Sequence, residues 1–183
     1  MSHVLVPLAQ GCEELEAITI TDLLVRAGVK VTTCGLDDQP VKASRGTTII
    51  PDVSIDEVVD NDFDMIVLPG GLPGADHLRD DGRVQAIIKR HAQAGRYIGA
   101  ICAAPRALAS AGLLSGRKAT SSPGALDAVD DDSIELSDEA TVIDGNVITS
   151  RGPGTAMDFA LSLIELLEGR EKRDEVETQL VRC

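Results

Sequence analysis

Short aliphatic runs alternate along this chain with amphipathic stretches, and glycine or proline marks most of the junctions. A parallel sheet covered by helices on both faces is written this way, because strands buried on both sides carry no polar face to alternate with. Residues 4–9 read as a buried strand broken by Gly11, and residues 13–27 as a helix stopped at Gly28. Further strands are predicted at 30–36, 64–68 and 97–101. Further helices are predicted at 80–94, 103–111 and 154–167, with Pro105 in a first turn, where its missing N–H costs nothing. Residues 41–51 look like an extended excursion or a hairpin. Asp144-Gly145 predicts another hairpin between 141–143 and 146–150, since glycine accepts the positive φ of a two-residue turn. No repeat, linker or low-complexity tract interrupts the pattern, so residues 1–183 read as one α/β domain.

The core of such a domain must be aliphatic here. Hydrophobic residues make up 43% of the chain, but the aromatics are only Phe63, Tyr97 and Phe159, too few for a base-stacking platform. Thirty acidic side chains against 17 basic ones give a net charge of -13, and no run of bases exceeds a pair. Stable binding to nucleic acid or to a membrane surface is therefore not expected, since both need an electropositive footprint. Residues 127–139 hold seven acids and no base, the pattern of a solvated loop. No apolar run approaches the ~18 residues of a membrane span, and the first residues lack the regions of a secretory leader. Cys12, Cys34, Cys102 and Cys183 are widely spaced, with no CxxC pair and no clustered histidines. They read as free thiols in a reducing cytoplasm, with no metal site and no cofactor.

Ligands of open α/β sheets bind beyond the carboxyl ends of the strands, which directs attention to four strand-to-helix turns. At the third, Ala100-Ile101-Cys102-Ala103-Ala104-Pro105, an apolar strand delivers Cys102 into a helix start between small neighbours. That resembles a nucleophile elbow, and a helix N-terminus is expected to favour thiolate. The plainer alternative is a small buried apolar residue. Cys12 is crowded by Glu13, Glu14 and Glu16, Cys34 lies within a strand and Cys183 ends the chain, so these three are expected to be unreactive.

Glu16 begins a stripe with Ile20, Leu23 and Ala27 that puts a carboxyl on an otherwise apolar helix face. It is either an ordinary first-turn acid or a desolvated carboxyl able to exchange protons. Pro69-Gly70-Gly71 is either a tight turn or a place where backbone N–H groups meet an oxyanion. Gly152 and Gly154 lack the spacing of a dinucleotide or nucleotide loop. Arg26 and Arg45 are isolated bases that could hold an anion. None of His3, His77 and His91 adjoins a cysteine motif, so no Cys-His pair is signalled, and His77 is expected in a loop.

Gly11-Cys12-Glu13-Glu14-Leu15-Glu16, Val67-Leu68-Pro69-Gly70-Gly71, the Cys102 turn and Ser150-Arg151-Gly152-Pro153-Gly154-Thr155 together resemble the DJ-1/ThiJ/PfpI superfamily, in order and along the whole chain. Gly169-Arg170-Glu171-Lys172 and Gln179-Leu180-Val181 look like its bacterial YajL (ThiJ) branch. The resemblance implies a flavodoxin-like three-layer sandwich and a homodimer. It also implies Cys102 as an oxidation-sensitive nucleophile, Glu16 as the protonated carboxyl beside it, and the Gly71 and Ala103 N–H groups facing the site. Arg45 and Arg26 would lie near an anion pocket on the dimer side. The implied activity is conversion of reactive carbonyls, of the glyoxalase III or deglycase type on glyoxal and methylglyoxal adducts. The alternative is a non-catalytic sensor or chaperone controlled by oxidation of Cys102. Where DJ-1 itself carries a His before Pro, this chain has Ser122-Pro123, so no general base stands at that place.

Overall fold

The structure, a computed structural model, describes residues 1–182. Its elements in chain order are β1 (His3–Leu8), α1 (Glu14–Arg26), β2 (Lys30–Gly35), β3 (Val41–Lys42), β4 (Thr48–Ile49), β5 (Val53–Ser54), β6 (Met65–Leu68), α2 (Gly74–Asp80), α3 (Gly82–Gln93), β7 (Tyr97–Ile101), α4 (Pro105–Ser110), β8 (Lys118–Ala119), β9 (Glu135–Leu136), β10 (Thr141–Asp144), β11 (Val147–Ser150), α5 (Ala156–Glu168) and α6 (Arg170–Gln179). Seven strands form one sheet in the order β10-β11-β7-β6-β1-β2-β5. Every neighbouring pair is parallel except the β10–β11 hairpin at one edge.

Alternation along buried strands supplies two cores. In β1, Val4, Val6 and Leu8 pack on one face of the sheet with Ile20 and Leu23 of α1 and Phe159 and Leu163 of α5. Leu5 points to the other face, as do Ile66 and Leu68 of β6, where α3 contributes Ile87 and Ile88. Helices on both faces of a mostly parallel sheet make the three-layer α/β sandwich that the sequence pattern predicts. The order reverses between β1 and β6, so the loops leaving those strands splay apart and open a crevice.

Several boundaries differ from expectation. The helix expected over 80–94 is α3, which starts at Gly82 because Asp81 turns extended (φ −77°, ψ 117°) and its carboxylate caps α3 by accepting from the Arg83 and Val84 N–H groups; the short helix α2 just before it has no counterpart among the expected elements. His77, expected in a loop, lies exposed on α2. The second hairpin is shifted by one residue: Asp144 pairs with Val147, and Gly145-Asn146 form the turn with the positive φ on Gly145. Beyond Gly169, α6 was not signalled, having only Val176 buried and no apolar stripe.

Candidate active site

β7 ends at Ile101, and the chain turns into α4 through Cys102 in the left-handed region at φ 63°. For a residue with a Cβ this conformation is strained and persists only when its surroundings hold it. The Cys102 N–H donates to the Ser150 carbonyl at 2.9 Å, and its carbonyl accepts from the Ser122 N–H at 2.9 Å. The small neighbours Ala100 and Ala104 are fully buried at the bend. The elbow is therefore clamped by the neighbouring strand β11 on one side and by the Ser122 turn on the other.

Glu16 reaches this elbow from the first turn of α1. Its residue is fully buried, and the face it shares with Ile20, Leu23 and Ala27 is buried along its length. Glu16 Oε2 accepts from the Gly70 N–H at 2.8 Å, while Oε1 is buried without a hydrogen-bond partner. Burial pushes the carboxyl up to about 7, although the Gly70 N–H and the Cys102 thiol draw it back. Gly70 separates the two reactive groups, and only glycine fits there. A Cβ on it would stand 2.6 Å from the Cys102 Cβ and 2.8 Å from Glu16 Oε2.

Gly71, at φ 88°, follows, and its N–H approaches the Cys102 thiol, as does the Ser122 hydroxyl. A Cβ on Gly71 would stand 2.3 Å from the Glu13 nitrogen, so the turn lies flat on the start of α1, where the Glu13 N–H donates to the Gly70 carbonyl at 2.9 Å. Gly152 completes the wall, its Cβ direction meeting the Cys102 Sγ at 4.0 Å. Ala103 is buried within the elbow. Among the described residues neither its N–H nor that of Gly71 donates to a backbone carbonyl.

The thiol itself departs from expectation. Burial raises it above its ordinary value and the Glu16 charge adds to the rise; the Ser122 hydroxyl and Gly71 N–H oppose both. The expected lowering fails because α4 is only six residues long and the sulfur shares its enclosure with a carboxylate. Thiol and carboxyl therefore titrate as a pair, and the thiolate is accessible when Glu16 keeps the proton. Cys12 and Cys34 are fully buried, and burial, aided at Cys12 by Glu14, pushes them up to about 11 and about 12. Cys183 lies outside the described residues.

The two arginines are not brought to the thiol within the chain. Arg26 is ten residues from Glu16 on α1, about 15 Å along the helix axis, and pairs with Asp22 at 3.1 Å. Arg45 is largely exposed, with its Nε 4.0 Å from Glu13 Oε2. What places Arg45 carries no signal in the sequence. Both Glu14 oxygens accept from the Arg45 N–H at 3.0 Å and Glu14 Oε1 accepts from the Thr47 N–H at 3.3 Å, tying the β3–β4 turn to α1. Burial works against ionisation of that carboxyl, but these donors and the Ser44 hydroxyl hold it down to about 2.

The sequence profile of the DJ-1/PfpI family matches residues 2–166. The chain belongs to this family. It is 45% identical to Protein dj-1beta of Drosophila melanogaster over 173 residues, covering 94% of this chain and 92% of that one. The crystal structure of that fly protein superposes with a TM-score of 0.95 over the whole of both chains. The Caenorhabditis elegans protein named glutathione-independent glyoxalase DJR-1.2 is 38% identical over 91% of this chain and 89% of its own. A Toxoplasma gondii DJ-1 structure described as oxidized matches both chains in full with a TM-score of 0.94 at 37% identity. Family membership and the flavodoxin-like fold thus agree with the resemblance carried by the motifs. Among the described residues, no helix is long and apolar enough to cross a membrane.

Proposed function

We propose that this protein converts reactive carbonyls such as glyoxal and methylglyoxal, free or as adducts on proteins and nucleotides, with Cys102 as nucleophile and Glu16 as the proton-exchanging carboxyl. The observation that carries this reading is the buried Glu16 carboxyl, titrating near 7, set against a thiol on a strained elbow. An acid with that value holds and releases a proton with comparable ease at neutral pH. The Cys102 sulfur adds to the aldehyde carbon and the carbonyl oxygen takes up a proton. The Gly71 and Ala103 N–H groups are offered to the developing oxyanion, whereas the Gly70 N–H, expected from the sequence to join them, is held by the Glu16 carboxyl. Glu16 then carries the proton from the aldehyde carbon to the adjacent carbon, which converts the adduct into a thioester without any external oxidant. Water breaks the C–S bond, releasing a 2-hydroxy acid and the free thiol. The name of the worm relative, a glutathione-independent glyoxalase, supports this choice of chemistry.

The proposal includes a homodimer of single-domain chains. On α1, Leu15, Ile18 and Val25 form an exposed apolar stripe, and α5, which packs along α1, exposes Met157. Arg26 lies at the edge of that stripe, so a second copy seated on it would bring Arg26 and Arg45 toward an anion-binding position between protomers. The thiols Cys12, Cys34 and Cys102 are all unpaired, which suits a cytoplasmic protein. Ser122 and the stretch from Gly169 to Lys172 support placement near the YajL branch.

Lactate formation from methylglyoxal, in buffer free of Tris and added thiols, tests the reading. Wild type should exceed Cys102→Ser and Glu16→Ala by at least about a hundredfold. A wild type no faster than Cys102→Ser would sink it. A second reading, oxidation sensing at Cys102, is favoured by Cys102 being the one partly exposed thiol of the described three. That reading stands alone if wild type is inactive while peroxide adds two oxygens to Cys102 before any other thiol.

A further inference from the structure

We propose that Thr155 is a positioning residue for Cys102, its hydroxyl locking the loop that clamps and walls the sulfur. Its effect on the sulfur is argued from the elbow alone, and its effect on turnover rests on the carbonyl-converting reading.

The loop from Ser150 to Thr155 meets the elbow at two points. The Ser150 carbonyl accepts from the Cys102 N–H at 2.9 Å, and the buried Gly152 lies against the sulfur, its Cβ direction meeting Sγ at 4.0 Å. Both points hang on one run of hydrogen bonds. Ser150 is fully buried, and its Oγ donates to the carbonyl of Ala140 at 2.6 Å. A serine has one hydroxyl proton, so at the 2.7 Å contact between Ser150 and Thr155 it is Thr155 Oγ1 that donates. Thr155 Oγ1 in turn accepts from the Gly152 N–H at 3.1 Å. The run therefore leads from Gly152 through Thr155 and Ser150 to Ala140, with each proton used once. The Arg151 N–H reaches the same Ala140 carbonyl at 3.2 Å, so the residue just before β10 anchors the loop twice.

Through one oxygen Thr155 thus bonds both residues that hold Cys102. Cys102 sits at φ 63°, a conformation that lasts only while its neighbours enforce it, so slack in this loop is passed to the sulfur. Without the hydroxyl, the buried Gly152 N–H loses its acceptor, which favours states with the loop drawn out toward water. Two opposite effects follow. A less enclosed thiol ionises more readily, whereas a less fixed sulfur attacks a carbonyl carbon less often.

Thr155→Val keeps the side-chain shape and removes the hydroxyl, and Thr155→Ser keeps the hydroxyl. In Thr155→Val, iodoacetamide should alkylate Cys102 at least about fivefold faster at pH 7, with the rate curve moved to lower pH. Its kcat for lactate formation from methylglyoxal should fall at least about fivefold with KM little changed. Thr155→Ser should return both readings toward wild type. Ser150→Ala interrupts the same run at its centre and should move both readings as Thr155→Val does, which keeps the test open if the valine protein fails to fold. An alkylation curve that stays with wild type in the folded variants, or a Thr155→Ser protein no closer to wild type than Thr155→Val, would overturn the positioning role. Should wild type make no lactate, the carbonyl-converting reading fails, and the alkylation curves alone decide the role of Thr155.

Discussion

Glu16 is a carboxyl placed where ionisation costs free energy, and stability should record that cost. Its folded value of about 7 lies above the ordinary 4.5. Below pH 4.5 the group is protonated whether the chain is folded or unfolded, and its contribution is fully present. As pH rises from about 4.5 through about 7 the unfolded chain releases the proton first, and that contribution is lost, on the order of 3 kcal/mol. A Glu16→Gln protein keeps an oxygen for the Gly70 N–H and has nothing to ionise. Its melting temperature relative to wild type should therefore climb between pH 4.5 and 7.5, read by calorimetry across that range. A difference flat with pH would place Glu16 in an environment unlike the one described. The sequence put Glu16 on an apolar face but could not say what the face meets, because its partners Gly70 and Cys102 are 54 and 86 residues away.

Element α1 serves two surfaces at once. One face carries Glu16, Ile20 and Leu23 into the core, and the opposite side exposes Leu15, Ile18 and Val25. The helical period made the first face readable in the sequence, as it did for α5. What stayed illegible follows from the same logic. The seven-residue helix α2 is too short to show a helical period, and α6, although it packs along α5, buries only Val176 and so carries no apolar stripe. Hairpin register was also beyond reach, since Asp144-Gly145 and Gly145-Asn146 are both acceptable turns and only pairing chooses between them. If the exposed stripe is a dimer contact, Ile18→Glu should turn a dimer into a monomer in sedimentation equilibrium with the far-ultraviolet spectrum unchanged. A wild type that sediments as a monomer would remove the stripe from the account.

Across the whole molecule, charge and core divide the labour. The acids that give the net charge of -13 sit mainly on the surface, with only Glu13 and Glu16 buried. Two aliphatic cores fix the sheet, and its order puts the ends of β1, β6 and β7 side by side. That convergence joins three motifs scattered in the sequence into one site, and it explains why each motif alone had an ordinary structural reading. The direction of the thiol's shift was hidden for the same reason, since it depends on how closely Glu16 approaches. Alkylation of Cys102 by iodoacetamide, followed residue by residue by mass spectrometry across pH 5 to 9, measures that coupling directly. In wild type Cys102 should react at least about tenfold faster than Cys12 or Cys34, and in Glu16→Gln its rate curve should move to lower pH. Coincident curves for the two proteins, or a Cys102 no faster than the buried thiols, would contradict the coupled pair.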